Sequence, residues 1–251
     1  DYIDLIFDDF IAFSGDRLFG EDKSIIAGFG KLNGKSVAVI GHNKGKNIKE
    51  RVEYNFGMPN PQGYRKAMRI MLLSERLNIP LITFIDTPGA NPAIEAEDLG
   101  QASAISNSIE TMFSLRIPII VIFIGEGGSG GALALAIGNH LIMLENSTYS
   151  VISPEGCAAI LWKDGSKAAE AAKVLKLTGE DLVELKVIDG IIPEPLGGAH
   201  RNPEKVAKNL KEVIENGLND LLGFKKEELL KLRYKKFLQK NQLFKSLKKE
   251  D

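Results

Sequence analysis

A chain of 251 residues, 44% hydrophobic and 26% charged, has ordinary globular composition and can bury one sizeable core or two small ones. A formal net charge of −1 argues against a nucleic-acid-binding surface, and a single cysteine, Cys157, rules out an internal disulfide and a multi-cysteine zinc site. No apolar run is long enough to span a bilayer and no signal peptide opens the chain, so a cytoplasmic or equivalent reducing compartment is expected.

Residues Ile3 to Phe13 place Leu5, Ile6, Phe10 and Phe13 on one helical face, which predicts a short entry helix with Asp4, Asp8 and Asp9 on a solvated flank. Ser24 to Leu32 and Ser36 to His42 are β-rich, and Asn33-Gly34 between them tolerates the positive φ angles of a hairpin turn. Lys44 to Tyr64 reads as irregular, broken by Gly57, Pro59, Pro61 and Gly63, before helical spacing resumes over Tyr64 to Leu77. From Pro80, Leu81-Ile82-Thr83-Phe84-Ile85 is a buried-strand run that ends in Asp86-Thr87-Pro88-Gly89-Ala90, with a helix predicted over Ala96 to Leu115. Ile117 to Ile124 repeats the pattern and empties into Gly125-Glu126-Gly127-Gly128-Ser129-Gly130-Gly131-Ala132. Leu133 to Ile137 is rich in helix formers, so these glycines are expected at a helix N-terminus with unpaired amides. Leu141 to Leu144 and Tyr149 to Ile152 lead into a third helix from Pro154, and the repeated strand, turn and helix define an α/β chain. The last third, Pro203 to Asn216 and Lys225 to Leu247, is helical and lysine-rich, and is expected to pack on the α/β body or on a partner.

Five glycines in the seven positions 125 to 131 exceed what close packing alone requires, although packing is the first reading of any glycine cluster. A nucleotide-phosphate site is disfavoured because no Gly-Lys-Ser/Thr ending follows. Gly127-Gly128-Ser129-Gly130-Gly131 also fits the Gly-x-Ser-x-Gly turn of serine hydrolases, with Asp164, Asp181 or Asp189 as the acid and His200 as the base in the chain order of that class. Against it, Asp189 and His200 bracket a segment too short for a further strand and helix. In a fourth reading the two strand-end turns meet, and Gly89-Ala90 with Gly130-Gly131 hold an oxyanion in one small cavity, as acyl transfer requires. Glu126 and Glu155 are acid–base candidates by location only.

Several long runs stand out, Gly41-His42-Asn43-Lys44-Gly45, Asn55-Phe56-Gly57-Met58-Pro59, Gly63-Tyr64-Arg65-Lys66-Ala67, Ile85 to Ala90, Gly125 to Leu133, Ser147 to Cys157 and Ile191 to Pro203. With these runs the chain closely resembles the carboxyltransferase alpha subunit of bacterial and plastid-type acetyl-CoA carboxylase, within the crotonase-like superfamily. The likeness extends to about Tyr234; longer family members carry a further N-terminal helical segment, and this sequence opens on Asp1 without a methionine. Asn91-Pro92-Ala93 and Glu53-Tyr54 depart from the family pattern, the first where an aromatic and a glycine are common, the second where basic residues are frequent.

The resemblance implies a crotonase-like spiral of repeated β-β-α units with a helical C-terminal region. The whole chain would be one carboxyltransferase alpha domain, with a lead-in over 1–23, a core over 24–202 and C-terminal helices over 203–251. It implies transfer of a carboxyl group from carboxybiotin, carried on a separate biotin carboxyl carrier protein that biotin carboxylase serves, to acetyl-CoA, forming malonyl-CoA for fatty acid synthesis. A homologous beta subunit bearing a zinc ribbon would hold acetyl-CoA and complete an α2β2 assembly, in the cytoplasm or a plastid-like compartment. This chain would carry no metal. Gly130 and Gly131 match the family's alpha-side oxyanion-hole pair for the biotin ureido oxygen, and Gly89, Ala90, Gly127 and Gly128 would line the cavity. Ser129 then becomes a turn residue. Lys44, Lys46, Arg65 and Lys66 are candidates to bind the carrier or the carboxylate, against a default of solvated surface cations. Cys157 reads as a small buried thiol. A catalytically inert scaffold subunit remains the non-enzyme alternative.

Overall fold

A computed structural model describes residues 1–247. Its centre is an eight-stranded mixed sheet: β1 (Asp8–Ala12), β2 (Ile25–Leu32), β3 (Lys35–His42), β4 (Leu81–Thr87), β5 (Ile119–Gly128), β6 (His140–Leu144), β7 (Thr148–Ser150) and β8 (Gly190–Ile192). The order is β1-β2-β3-β4-β5-β6-β8, and β7 joins the far end of β5. β1, β2 and β3 pair antiparallel; every other pairing is parallel. The β2–β3 hairpin turns on Asn33 and Gly34 at φ of 49° and 79°, the left-handed pair a two-residue turn needs.

Alternation along the strands divides the interior between two cores. Ala38, Ile40, Leu81, Ile85, Ile119 and Val121 face one, and Val37, Val39, Ile82, Phe84, Ile120 and Ile122 face the other. The first is covered by α3 (Pro61–Leu77) and α5 (Gln101–Ser114). The second is covered by α1 (Tyr2–Ile6) and α10 (Pro203–Leu222), whose Val206, Leu210, Ile214, Leu218 and Leu221 recur at helical spacing. Asn202 caps α10 by accepting from Lys205 N–H, with Pro203 at the first helical position. The remaining helices are α2 (Ile48–Glu53), α4 (Ile94–Asp98), α6 (Ser129–Leu133), α7 (Pro154–Trp162), α8 (Ala168–Leu175), α9 (Gly179–Glu184) and α11 (Lys226–Leu247). Buried Arg233 fastens α11 by donating to the carbonyls of Met112, Leu115 and Ile117 and to Asn139 Oδ1, at 2.6–2.9 Å. The last four residues of the expected C-terminal helices, 248–251, lie outside the described residues.

Four sequence expectations are corrected. The entry helix stops at Ile6: Phe7 turns extended, and Asp8–Ala12 becomes an edge strand on β2 that sends Phe10 and Phe13 to opposite cores. Lys44 to Tyr64 is not wholly irregular, since Asn47 accepts from Glu50 N–H and starts α2, and α3 begins at Pro61. The single helix over Ala96 to Leu115 is two, α4 and α5, parted at Gly100 with φ of 83°. Most of the glycine run is strand, not helix start: β5 continues through Gly128, and α6 is a single five-residue turn that ends at Leu133.

Candidate functional site

Strand β5 carries the candidate site. It pairs with β4 in even register from Leu81↔Ile119 to Ile85↔Phe123, then jumps to Thr87↔Gly127. From Ile85 to Thr87 one residue intervenes on β4 while three intervene on β5, so Ile124, Gly125 and Glu126 bulge opposite Asp86. The freed amide of Glu126 donates to Asp86 Oδ1 at 3.0 Å. Glycine at 125 leaves room for this carboxylate, since a Cβ there would lie 2.8 Å from Asp86 Cγ and closer still to Oδ1 and would push the side chain aside. Lys44 Nζ, arriving just beyond β3, sits 2.7 Å from Asp86 Oδ1 and 2.5 Å from Glu126 Oε2. Burial alone would pull the Lys44 ammonium down, but Asp86 and then Glu126 outweigh it and hold the group above its ordinary value. Behind this cluster His42 Nδ1 accepts from Asp86 N–H at 3.3 Å. Burial, reinforced by nearby Lys44, brings His42 down to about 3, so the imidazole is neutral.

Past the bulge, Gly127 and Gly128 pair with Tyr149 and Ser150 of β7, and Ser129 bends the chain at φ of 52° into α6. The two strand-end turns then meet as packed backbone. A Cβ on Gly128 would lie 2.9 Å from Gly89 N, and one on Gly131 would lie 2.5 Å from the Gly89 carbonyl carbon. Gly130 is under no such constraint, its Cβ finding Ile105 Cγ2 at 3.6 Å. Buried Tyr64 donates its hydroxyl to the Gly131 carbonyl at 3.3 Å. The amides of Gly130 and Gly131 lie in the first turn of α6, where no helical acceptor exists, and no hydrogen bond from either is found among the described residues.

Two cavities flank this turn. One of about 430 Å³ is lined by Gly127, Gly128, Ser129 and the segment from Ser150 to Glu155. The other, about 410 Å³, has Ser129 and Gly130 at its edge and apolar walls from Leu133, Tyr149, Val151, Leu175 and Leu182. Burial raises the Tyr149 hydroxyl to about 12, so it stays protonated there. Gly89, Ala90 and Gly131 line neither cavity; they form the packed floor between the strands.

The partners of a serine nucleophile do not assemble. His200 lines a third cavity of about 780 Å³ that Ser129 does not touch. Asp164 accepts from Ser166, Asp181 bonds Thr178 and Lys176, and Asp189 accepts from Leu141 N–H and pairs with Lys236. Of the four candidate cations, Arg65 is engaged with Asp16 and the Leu99 carbonyl, and Lys66 is buried against Glu21 and the Asp22 carbonyl. Lys44 belongs to the bulge cluster, and Lys46 stays exposed beside Asp1. Asn91 joins Asn60 and Ala93 in a loop clasp, and Glu53 pairs with Lys23. Cys157 is buried. Among the described residues no group of His, Cys, Asp and Glu is arranged to hold a metal ion, and no helix is long and apolar enough to cross a membrane. Sequence reasoning gave Asp86 and Tyr64 no role; their place inside long motif runs was the available signal.

A solved transcarboxylase 12S core with methylmalonyl-coenzyme A bound superposes on 88% of this chain and 41% of its own, at a TM-score of 0.73 and 17% identity. The mixed sheet wound through two cores, with glycine-rich ends of adjacent parallel strands packed together, is the crotonase-like fold of carboxyltransferases. A family model described as acetyl co-enzyme A carboxylase carboxyltransferase-like matches residues 1–241. The acetyl-coenzyme A carboxylase carboxyl transferase subunit alpha of Geobacter sulfurreducens is 58% identical over 94% of this chain and 74% of that protein. The subunit of the same name from Haemophilus influenzae is 55% identical over 95% and 76%. The chain belongs to the acetyl-CoA carboxylase carboxyltransferase alpha-subunit family.

Proposed function

We propose that this chain forms the carboxybiotin side of an active site completed by a beta subunit, in an α2β2 assembly served by a biotin carboxyl carrier protein and biotin carboxylase. The observation that carries the reading is the pair of acceptor-free amides at Gly130 and Gly131, Gly130 at the edge of an apolar cavity and Gly131 seated on the packed backbone next to it. An apolar chamber with an unpaired donor at its edge and a second one residue on suits the biotin bicycle, whose hydrocarbon face needs burial and whose ureido oxygen needs hydrogen bonds. Biotin supplies a nitrogen that gives up the carboxyl group, leaving negative charge on the ureido oxygen.

The chain's own part is electrostatic. Donors fixed before the reaction need no reorganisation as that charge appears, and one such donor is worth about 100- to 1,000-fold in rate. The packed floor of Gly89, Ala90, Gly128 and Gly131 fixes where the amides sit, and the Tyr64 hydroxyl holds the Gly131 carbonyl. No side-chain nucleophile is needed, which agrees with a Ser129 that has no assembled base. Val151 is exposed at the cavity edge, and Ile160, Leu161 and Val174 on α7 and α8 are exposed large apolar side chains, as on a surface awaiting a partner. Acetyl-CoA is assigned mainly to that partner, together with the zinc ribbon, and the compartment is cytoplasmic or plastid-like.

The test is malonyl-CoA-dependent carboxylation of free biocytin by this chain, by its beta partner, and by the two mixed. Activity in the mixture alone is expected. A mixture in which both chains are folded and bound, yet no carboxyl group moves, would overturn the proposal.

A further inference from the structure

The bulge in β5 decides the angle at which the glycine turn leaves the sheet, and its support is a charged cluster drawn from three separate strand ends. Without the bulge, Gly127 would fall two places off its register with Thr87. A bulge leaves an amide unpaired, and at Glu126 that amide is taken by a carboxylate oxygen, Asp86 Oδ1, at 3.0 Å. The space for this carboxylate exists because residue 125 is glycine. Its charge is matched by Lys44, whose own path is cleared by Gly57: a Cβ there would lie 2.5 Å from Lys44 Cγ. Lys44 also reaches Glu126, so one ammonium ties the residue that precedes Thr87-Pro88-Gly89-Ala90 to the residue that precedes Gly127.

From this we infer that Asp86 and Lys44 are positioning residues: they hold the β5 bulge and thereby set the aim of the Gly130 and Gly131 amides, without touching the reactants. The inference rests on the oxyanion reading of those amides. A carboxylate so placed acts through distance, and a misplacement of about 1 Å at a reacting centre costs about 100-fold in rate. The loss belongs in kcat, because an amide that meets charge only as the carboxyl group departs contributes little to holding the ground state.

The experiment compares wild type, Asp86→Ala, Asp86→Asn, Lys44→Met and Lys44→Arg, each assembled with the beta partner. It reads biocytin carboxylation per folded complex, together with hydrogen exchange over residues 125–131. Asp86→Ala is expected to lower kcat by about 100-fold with KM within about twofold, and to speed exchange of the segment. Asp86→Asn keeps an oxygen for the Glu126 amide and is expected to recover most of the loss, as is Lys44→Arg relative to Lys44→Met. A merely structural role would lower the yield of folded complex while leaving kcat per complex and the recovery pattern unmoved. Should Asp86→Ala fail to fold, Lys44→Met gives the same reading with the amide bond intact. Unchanged kcat in these variants, or a rise in KM alone, would overturn the inference. If wild type transfers nothing while Asp86→Ala still speeds exchange of residues 125–131, the oxyanion reading falls and the bulge support stands.

Discussion

Replacing Gly131 by alanine separates a glycine needed for close approach from one that is merely present. Alanine for glycine inside a helical turn ordinarily stabilises by about 0.5–1 kcal/mol. At 131 the new methyl would lie 2.5 Å from the Gly89 carbonyl carbon and 3.0 Å from Gly89 Cα, against a carbon–carbon contact distance of about 3.5–4.0 Å. Relief requires the β4 turn to retreat by about 1 Å, and overpacking of that kind costs about 1–3 kcal/mol. Both walls are backbone, so the upper part of that range applies. At about 2–4 °C per kcal/mol for a chain of this size, the midpoint should drop by about 5–10 °C. The retreat also moves the floor beneath the amides, so kcat should fall by about 100-fold. Gly130→Ala is the internal control, with its methyl 3.6 Å from Ile105 Cγ2 and a stability equal to or slightly above wild type. Thermal unfolding of both variants, beside the transfer assay, decides the matter. A Gly131→Ala protein as stable as Gly130→Ala would refute the packed-floor argument.

Two further predictions concern stability. His42 has a folded pKa near 3 against an ordinary 6.5, so between those values the unfolded chain binds the extra proton and stability falls as pH drops, by about 1.4 kcal/mol per pH unit from this group. Urea unfolding of wild type and His42→Gln between pH 6 and 4, where the unfolded imidazole is largely protonated and the folded one is not, should differ in slope by nearly that amount, and parallel profiles would contradict it. Arg233→Met leaves the carbonyls of Met112, Leu115 and Ile117 without their charged donor and should cost about 3 kcal/mol or more by urea midpoint. Arg233→Lys should recover little, since a lysine lacks the planar fork that reaches these acceptors together; full recovery would count against the network.

The parallel core was legible because Leu81–Ile85 and Ile119–Ile124 are apolar runs bounded by glycine and proline, and strands buried on both faces read that way. The entry segment misled because Leu5, Ile6, Phe10 and Phe13 satisfy helical spacing over barely three turns. The free edge of β2, visible only in three dimensions, draws the second half into a strand. Gly100 was a readable stop between α4 and α5, a left-handed residue after Asp98-Leu99. At the site, composition marked the glycine run, but the same residues suit a strand end or a helix start; what separates them is Pro88 and Gly89 lying against Gly128. The Lys44–Asp86–Glu126 cluster was the least readable part. Its members stand 40 and 82 positions apart and meet only because three parallel strands end side by side.

Strand β5 behaves as a cantilever. Its root, Ile119 to Phe123, is wholly buried and clamped between β4 and β6, while the outer half, Ile124 to Gly128, runs past β6, meets β4 again only at Thr87, and carries the glycine turn at its tip. Three glycines in five residues give this half little bending stiffness of its own, so the tip's deflection is governed by what props it: β7 on one side, and Thr87 with the Asp86 carboxylate on the other. A change at a prop therefore re-aims the tip while the buried root of the strand stays as it is.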